Sequence, residues 1–305
     1  MKNPFWRKLI LILLVAGGAE VILRLIGFGN IPVYYSSDLY EYALEPKQEM
    51  KRFGNSIYIN AEGMRSDELE PGDKPILKFG DSVLHGGVAT DQSDLASEIL
   101  ESRFESELPK VRILNIAAGS WGPDNAFAWM MEHSDFDAQA IVLVFSSHDW
   151  QDQMTFRKVV GEVSFYPESR PFLALTDAAE WFYSRWFSEV DWDDLEENEE
   201  VTYKGGKFNR GWQQFIDYCA KRGIPLVVYH HADLEEVTNK KWNKKGAKLE
   251  AFLADKNIAR LSGLESGMEK ADFRDEIHLT PSGQRKLANA LEPTLTDILL
   301  YSDAE

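Results

Sequence analysis

The stretch ILKFGDSVLHGG, residues 76–87, decides the fold because it joins a short apolar strand to a turn of small residues. Gly80, Asp81 and Ser82 follow the apolar run directly, and a His-Gly-Gly sequence at 85–87 comes next. A strand that ends in small residues is common, so the tripeptide by itself predicts no chemistry. What it predicts depends on the partners that the remainder of the chain supplies.

Four more short runs rich in isoleucine, leucine and valine follow along the chain. With the first, they are KPILKFG (74–80), VRILNIA (111–117), AIVLVFS (140–146), IPLVVYH (224–230) and NIARLSG (257–263). Such runs are typical of strands that are buried on both faces of a parallel sheet. Helical patterns lie near 92–108, 123–134, 207–222 and 241–255, and a last one begins at Pro281. The alternation predicts an α/β fold, a doubly wound and mainly parallel five-stranded sheet flanked by helices, with ligands at the carboxyl ends of the strands.

The composition is that of a globular protein, because 44% of the residues are hydrophobic and 27% are charged. At 305 residues the chain can bury a full core, and its single strand-helix alternation favours one large domain. The formal net charge of -17 repels phosphates and argues against nucleic acid as a partner. A lysine cluster at 240–248 is typical of a solvated helix face, and the single cysteine, Cys219, is predicted to be a small buried thiol.

The first 28 residues predict a membrane segment. Lys2, Arg7 and Lys8 precede an apolar run from Leu9 to Ile26, close to the roughly 20 residues that cross a bilayer. Basic flanks stay in the cytoplasm, so the chain is expected to be a single-pass anchored protein whose remainder is extracytoplasmic, in the periplasm or at the cell surface. A cleaved signal peptide and a soluble amphipathic helix are the alternatives.

Two charged residues interrupt this apolar run near its outer end. Glu20 and Arg24 are four positions apart and can pair on one face of a helix. Arg24 can also extend toward the lipid headgroups. Both residues are therefore compatible with a membrane span.

Two regions lie outside the predicted strand-helix alternation. Residues 29–72 are predicted to be an irregular extension, with short extended pieces, that packs on the α/β domain at 73–305. That domain is interrupted by an aromatic and acidic insertion at about 150–206. Its aromatic side chains predict either a local core or a groove for sugar rings. Its acidic end, at 191–200, predicts a solvated edge or a flexible loop.

A possible partner for the serine lies near the C-terminus, in the stretch DEIHLTPSG (275–283). Asp275 precedes His278 by three positions, just before the last predicted helix, so its carboxylate can reach the imidazole within one turn. A serine hydroxyl becomes nucleophilic only when a base accepts its proton and donors hold the oxyanion that forms. Ser82 as nucleophile, His278 as base and Asp275 as the orienting carboxylate would supply the first requirement.

The chain resembles the SGNH (GDSL-type) superfamily of hydrolases and acyltransferases, in its membrane-anchored members. FGDSVLHGG (79–87) resembles the first block of that family, ILNIAAGSWGPDNAF (113–127) the second and DEIHL (275–279) the last, in the family's order. A further segment, INAEGMRSDE (59–68), resembles one that often precedes the serine strand in anchored members; its Arg65 is expected to have a structural role only.

The resemblance implies site residues and a catalytic domain at 73–305. Ser82, Asp275 and His278 would form the catalytic triad. The backbone N–H groups of Ser82 and Gly119 would form the oxyanion hole. No cofactor is implied.

The third block differs from the family pattern. Family members usually have an asparagine followed by an aspartate after the third strand, where this chain reads VFSSHDWQD (144–152) and has His148. Its position implies that His148 is the third oxyanion-hole donor, through an imidazole N–H. A strand-end histidine bonded to nearby backbone is the alternative. Losing one such donor costs about 2.7–4 kcal/mol of transition-state stabilisation.

Three residues near the predicted site are expected to contact substrate: His85, Trp121 and His230. His85 lies one helical turn beyond the serine, where a packing role is the alternative. His230 and His231 follow the fourth strand and point in opposite directions, so at most one should face the site. A metal site built from His148 and these histidines lacks a ligand-spacing motif, and no metal is predicted.

The resemblance implies acyl transfer from an acyl-enzyme on Ser82 to water or to a sugar hydroxyl. Its expected substrates are acylated carbohydrate or cell-envelope polymer, outside the cytoplasm. The alternative is a catalytically idle SGNH-like module that binds glycan or scaffolds an envelope assembly, which His148 and the insertion suggest.

Overall fold

The computed structural model describes residues 4–187, 195, 208–256 and 258–302 of the chain. Lys2, Asn257 at the start of the fifth predicted strand, and all of the acidic stretch 191–200 except Leu195 lie outside the described residues.

A five-stranded parallel sheet forms the centre of the α/β domain. Its strands are β5 (Lys74–Gly80), β6 (Val111–Ala117), β7 (Ala140–Ser146), β8 (Leu226–His231) and β9 (Ala259–Ser262). They lie in the order β6-β5-β7-β8-β9, and every neighbouring pair is parallel. The strand after the first lies at one edge and the chain then winds toward the other, as in flavodoxin-like sheets. The predicted fold class is confirmed.

Helices cover both faces of this sheet. They are α2 (Ser82–His85), α3 (Ala96–Phe104), α4 (Pro123–His133), α6 (Gly211–Arg222), α7 (Leu234–Asn239), α8 (Lys244–Ala254) and α9 (Pro281–Ser302). A further helix, α5 (Ala174–Phe187), belongs to the insertion and packs in a separate small core. Alternate residues of a strand enter opposite cores, because side chains alternate across a sheet. Leu77 and Phe79 pack with Trp129 of α4 and Trp212 of α6, whereas Ile76 packs on the other face with α3 and α9.

The N-terminal helix α1 (Pro4–Ile26) is long and apolar enough to cross a membrane, as a signal sequence near an N-terminus also is. Its most apolar 18-residue window has a mean hydropathy of 2.4, and none of that window is buried inside the fold. The predicted pair of charges forms, with Arg24 Nε lying 2.7 Å from Glu20 Oε1.

Residues 29–72 are more regular than the irregular extension that the sequence predicts. They form two antiparallel hairpins, with strands β1 (Tyr34–Ser37), β2 (Glu41–Leu44), β3 (Gln48–Arg52) and β4 (Asn55–Ile59). Tyr34, Tyr42 and Ile57 are buried in the same core as the sheet residue Phe79. The hairpins therefore complete one face of the α/β core.

The insertion between β7 and α6 contributes to the core and also to the surface. Tyr166 is buried beside Tyr34 and Tyr42, with ring centroids 5.2 and 4.8 Å away. Farther along, Trp181 of α5 packs against Phe28 and Phe53 in a small separate core. Tyr166 and Trp181 therefore pack in cores, which is one of the two roles that the sequence predicted for the aromatic side chains of this insertion.

Candidate active site

The structure places Ser82 at the junction of β5 and α2, at the carboxyl end of a central strand. Asp81 follows the last residue of the strand and caps the helix, because its Oδ1 accepts a hydrogen bond of 2.8 Å from the backbone N–H of Val83. Gly80 is required by close packing, since a Cβ there would lie 2.7 Å from the carbonyl oxygen of Val144. The sharp turn therefore depends on the small residues of the Gly-Asp-Ser sequence.

His278 joins Ser82 and Asp275 in one chain of hydrogen bonds. Its Nε2 lies 2.9 Å from Ser82 Oγ, and its Nδ1 lies 2.8 and 2.9 Å from the two carboxylate oxygens of Asp275. An ionised Asp275 holds the proton on Nδ1, so that Nε2 is free to accept the proton of the serine hydroxyl. The three predicted triad residues are thus brought together in the order that general-base activation needs.

The Asp275 carboxylate is stabilised in its ionised form. Burial acts to raise the pKa of Asp275, but hydrogen bonds from the backbone N–H groups of His278 and Ile277, followed by the imidazole, lower it below its usual value. These bonds also fix the carboxylate beside Nδ1 of the imidazole. The base and its orienting group therefore form one rigid turn before α9.

A cavity of 550 Å³ opens on this triad, within the range of small-molecule sites. Besides Ser82, Asp275 and His278, its wall includes Gly119, Ser120, Phe165, Tyr166, Trp181 and Arg274. The first two come from the loop after β6, and the next three from the insertion. The cavity thus lies where the carboxyl ends of β5 and β6 meet the insertion.

Gly119 is held in the cavity wall by two tyrosines. The Tyr42 hydroxyl donates a hydrogen bond of 2.7 Å to the carbonyl oxygen of Gly119. A Cβ on Gly119 would lie 2.9 Å from the hydroxyl oxygen of Tyr166, so a larger residue would displace this ring. The Tyr166 hydroxyl donates to Ser120 Oγ at 3.3 Å and reaches the cavity beside Gly119. The sequence did not identify Tyr166 as a site residue, because Tyr166 lies outside the family-like blocks and no motif marks it.

His148 has a different environment from the one predicted. Its Nε2 faces two carboxylates, 3.4 Å from Asp149 Oδ1 and 3.8 Å from Asp81 Oδ2, and it is not among the residues that line the cavity. The imidazole thus lies beside two buried carboxyl groups, one of which, Asp81, precedes the serine. The role of His148 as an oxyanion-hole donor stays a prediction.

The same three residues bring possible metal-ligand atoms within 4.8 Å of one another. Burial raises the pKa of Asp81 to about 7 and raises that of Asp149 well above its usual range. The contacts of His148 with the two carboxyl groups account for the proximity of the three side chains.

Of the three predicted substrate contacts, only His85 lines the cavity. Trp121 is 1% exposed and lies in the core, where its indole N–H donates to the carbonyl oxygen of Tyr42. His230 is also buried; its ring stacks on Trp242 at 3.6 Å and its Nδ1 lies 2.7 Å from Glu250. These two predictions are corrected, because the packing partners of both side chains come from segments that are distant in sequence.

His85 and His231 are both buried and neutral. Burial, followed by the nearby Arg65 and Arg274 guanidinium groups, lowers the pKa of His85 to about 3. Its Nε2 has no hydrogen-bond partner among the described residues. Burial also lowers the pKa of His231 to about 4, and its Nε2 contacts the carbonyl oxygen of Ile277, one residue before the base.

Two arginines hold the loop that follows α2. The fully buried Arg65 donates to the carbonyl oxygens of His85, Gly87 and Thr90 at 2.6 to 2.7 Å. Arg274, beside the triad carboxylate, donates to the carbonyl oxygen of Gly86. Arg65 thus has the structural role that was expected. Arg274 was not predicted as a site residue, and the one sequence feature that points to it is its position next to Asp275.

The chain was compared with known proteins. No protein-family model and no curated protein matches it. Among solved structures it is similar to TesA, at 13% identity over 74% of this chain and 99% of the other, with a TM-score of 0.45. It is also similar to a lipolytic G-D-S-L protein from Veillonella parvula, at 13% identity over 73% and 98% of the chains, with a TM-score of 0.41. A two-domain esterase active on acetylated mannans matches at 10% identity over 74% and 50%, with a TM-score of 0.44.

Proposed function

We propose that this protein is an SGNH-type serine esterase or O-acyltransferase that acts through an acyl-enzyme on Ser82. The observation that carries the proposal is the hydrogen-bonded series Ser82–His278–Asp275 at the wall of a 550 Å³ cavity. A binding module needs no base oriented by a carboxylate at 2.8 Å. The sequence resemblance to the SGNH blocks supports the same roles.

In the first half-reaction, Ser82 Oγ attacks the ester carbonyl carbon while His278 Nε2 accepts the hydroxyl proton. The oxyanion is bound by the backbone N–H groups of Ser82 and Gly119. The tetrahedral intermediate then expels the alcohol, which takes the proton from His278, and leaves an acyl-enzyme. Water or a sugar hydroxyl attacks this acyl group with His278 again as base, so that the products are a carboxylic acid or a new ester.

The third oxyanion donor is assigned to Tyr166 instead of His148. The hydroxyl oxygen of Tyr166 would lie 2.9 Å from a Cβ on Gly119, beside one of the two backbone donors. Burial raises the pKa of Tyr166, so its hydroxyl keeps its proton at neutral pH; that proton, donated to Ser120 Oγ in the free protein, would turn to the oxyanion when it forms. A phenol donor at this point would replace the amide that the family's asparagine usually supplies.

The proposed substrates are acylated carbohydrate or cell-envelope polymer, and the proposed location is outside the cytoplasm, with α1 as an uncleaved single-pass anchor. Arg7 and Lys8 precede the apolar part of α1, which favours an extracytoplasmic domain. The phenyl ring of Phe165, 62% exposed at the cavity wall, offers a surface on which a sugar ring can stack.

A catalytically idle glycan-binding or scaffolding module is the second candidate. The orientation of His148 toward Asp81 and Asp149 favours it, because the family's usual third donor is then absent from the cavity. Such a module would keep its phenotype after Ser82→Ala.

A fluorophosphonate probe separates these two functions. Wild-type protein should form a covalent adduct that mass spectrometry locates on Ser82, and Ser82→Ala and His278→Ala should form none. The wild type, but neither variant, should release acetate from an acetylated polysaccharide, and addition of an acceptor oligosaccharide should lower acetate release if transfer competes with hydrolysis. A well-folded wild-type protein without an adduct would favour the idle module.

A further inference from the structure

The outer face of α5 and a residue two positions before that helix expose large aromatic side chains. Phe172, Phe182, Tyr183 and Trp186 are 90%, 54%, 62% and 73% exposed. We call these four residues the aromatic face of α5. Soluble surfaces rarely expose such a group of large apolar side chains, whereas tryptophan and tyrosine are enriched where proteins meet the lipid headgroups.

This helix is fastened to the apolar helix α1. The carboxylate of Glu20 accepts hydrogen bonds of 2.9 and 3.0 Å from the backbone N–H groups of Ala174 and Leu175, in the first turn of α5. Arg24 donates a hydrogen bond of 2.6 Å to the carbonyl oxygen of Phe172. The only two charges in the outer half of α1 therefore hold the beginning of α5 beside it.

The position of Glu20 along α1 determines the depth in a bilayer at which α1 and α5 would make this contact. A helix rises about 1.5 Å per residue, so Phe5 and Glu20 are separated by roughly 22 Å along its axis. The hydrocarbon core of a bilayer is about 30 Å thick. This separation is shorter than the hydrocarbon core is thick, so when α1 crosses a membrane, Glu20 and the first turn of α5 lie in the outer part of the hydrocarbon or at its boundary, and not above it.

The inner side of α5 borders the candidate active site. Asp177, Glu180, Trp181 and Ser184 line the same cavity as Ser82. Both described carboxylates of α5 are on this side, and Asp177 forms a buried ion pair with Arg52. One helix thus carries the wall of the cavity on one side and the aromatic face on the other.

We propose that the aromatic face of α5 rests in the headgroup region of the bilayer that α1 crosses, and that the cavity takes an acyl ester carried by a membrane-resident amphiphile. The ester chemistry rests on the proposed function. The four side chains of the aromatic face carry no charge, and the net charge of the chain is -17, so apolar contact and not attraction to anionic lipid is expected to drive the docking. It should also be insensitive to salt.

The docking is tested in the full chain, reconstituted in phosphatidylcholine vesicles. An environment-sensitive fluorophore is attached to Trp186→Cys and, as the control, to Met131→Cys on α4, which is 56% exposed. The native Cys219 is buried and should remain unlabelled. Spin-labelled phosphatidylcholine should quench the label at 186 at least 3-fold more than the label at 131, and iodide at least 3-fold less. Equal quenching of both labels by iodide would overturn the docking.

The substrate class is tested with two nitrophenyl esters, the acetate in solution and the palmitate in the vesicles. The variant Phe172→Ser/Phe182→Ser/Trp186→Ser should lose at least 10-fold of the palmitate rate and keep the acetate rate within 2-fold. The matched control, Leu39→Ser/Met131→Ser/Leu300→Ser, removes three other exposed apolar side chains and should change neither rate.

The failures of the two proposals are distinguishable. No loss of the palmitate rate in the aromatic-face variant, or an equal loss on both esters, would overturn the assignment of a membrane-resident substrate. A wild-type protein that hydrolyses neither ester and forms no adduct on Ser82 would contradict the proposed function. The fluorophore at position 186 would still decide whether α5 contacts the bilayer.

Discussion

The Nε2 atom of His278 lies 2.9 Å from Ser82 Oγ, although 196 positions separate the two residues in the chain. Ser82 lies just after the end of β5, and His278 lies in the turn before α9. The distance is that of a formed hydrogen bond, so the proton has a direct path from nucleophile to base.

Asp275→Asn should lower kcat by roughly 10² to 10⁴ while KM changes little, because the amide can no longer stabilise the imidazolium. Asp275 is half exposed, so water screens part of its charge, and the loss of kcat is expected near the lower end of this range. Steady-state hydrolysis of a soluble acetyl ester measures the effect. Glu276→Gln makes the same chemical change one residue away and should leave kcat within 2-fold; equal losses in both variants would contradict the triad.

His148→Ala should lower kcat less than about 5-fold, because this side chain faces Asp81 and Asp149 instead of the cavity. A true oxyanion-hole donor would cost about 10² to 10³ in kcat. The same variant should unfold at a lower temperature above about pH 7, where Asp81 is ionised in the folded state and loses the imidazole beside it. Kinetics and thermal unfolding on one preparation separate these effects, and a 10²-fold loss of kcat without destabilisation would restore His148 as a donor.

Tyr166→Phe should lower kcat at least 10-fold with little change in KM, because the hydroxyl beside Gly119 acts mainly in the transition state. The ring remains and keeps its packing against Tyr34 and Tyr42. Tyr35→Phe removes a hydroxyl from the neighbouring hairpin, where it is bonded to Tyr40, and serves as the control. An unchanged kcat in Tyr166→Phe would remove the third donor from the mechanism.

Asp81→Asn should change the pH dependence of stability. Burial raises the pKa of Asp81 from 3.8 to about 7, so between these values the folded state holds a proton that the unfolded state has lost. Stability from this group is therefore complete below about pH 4 and is lost as pH rises through 7. Thermal unfolding between pH 4 and 8 should show the variant gaining on the wild type by at least about 1 kcal/mol as pH rises. A difference that stays constant with pH would contradict the shift.

Lys78→Met should stabilise the protein at pH 7. Lys78 is fully buried in β5, its Nζ has no hydrogen-bond partner among the described residues, and burial lowers its pKa from 10.5 to about 7. Between pH 7 and 10.5 the unfolded chain binds a proton that the folded chain rejects, so the wild type gains stability as pH rises through this range. Methionine removes the titration, and denaturant unfolding should show a gain of at least about 1 kcal/mol at pH 7 that shrinks toward pH 10. Lys74→Met, at the half-buried start of the same strand, is the control.

Much of the fold was readable from the sequence, because buried parallel strands are continuous apolar runs. The run 74–80 matches β5 to the residue, and the runs 111–117 and 140–146 match β6 and β7. The fifth run, 257–263, is longer than β9 (Ala259–Ser262), which lies at the edge of the sheet and is only partly buried. The irregular extension predicted at 29–72 contains two hairpins, since four- and five-residue strands give little periodicity.

The sequence by itself determined the order of the strands along the chain, the Gly-Asp-Ser turn and the three-residue spacing of Asp275 and His278, because each depends on neighbours within one turn or strand. Only the tertiary structure decided that His148 faces Asp81 and Asp149, that Trp121 and His230 are buried, and that Tyr166 reaches Gly119. The same holds for the attachment of α5 to Glu20. The environment of a side chain is set by residues that may be 150 positions away, and no local pattern encodes which of them will be its neighbours.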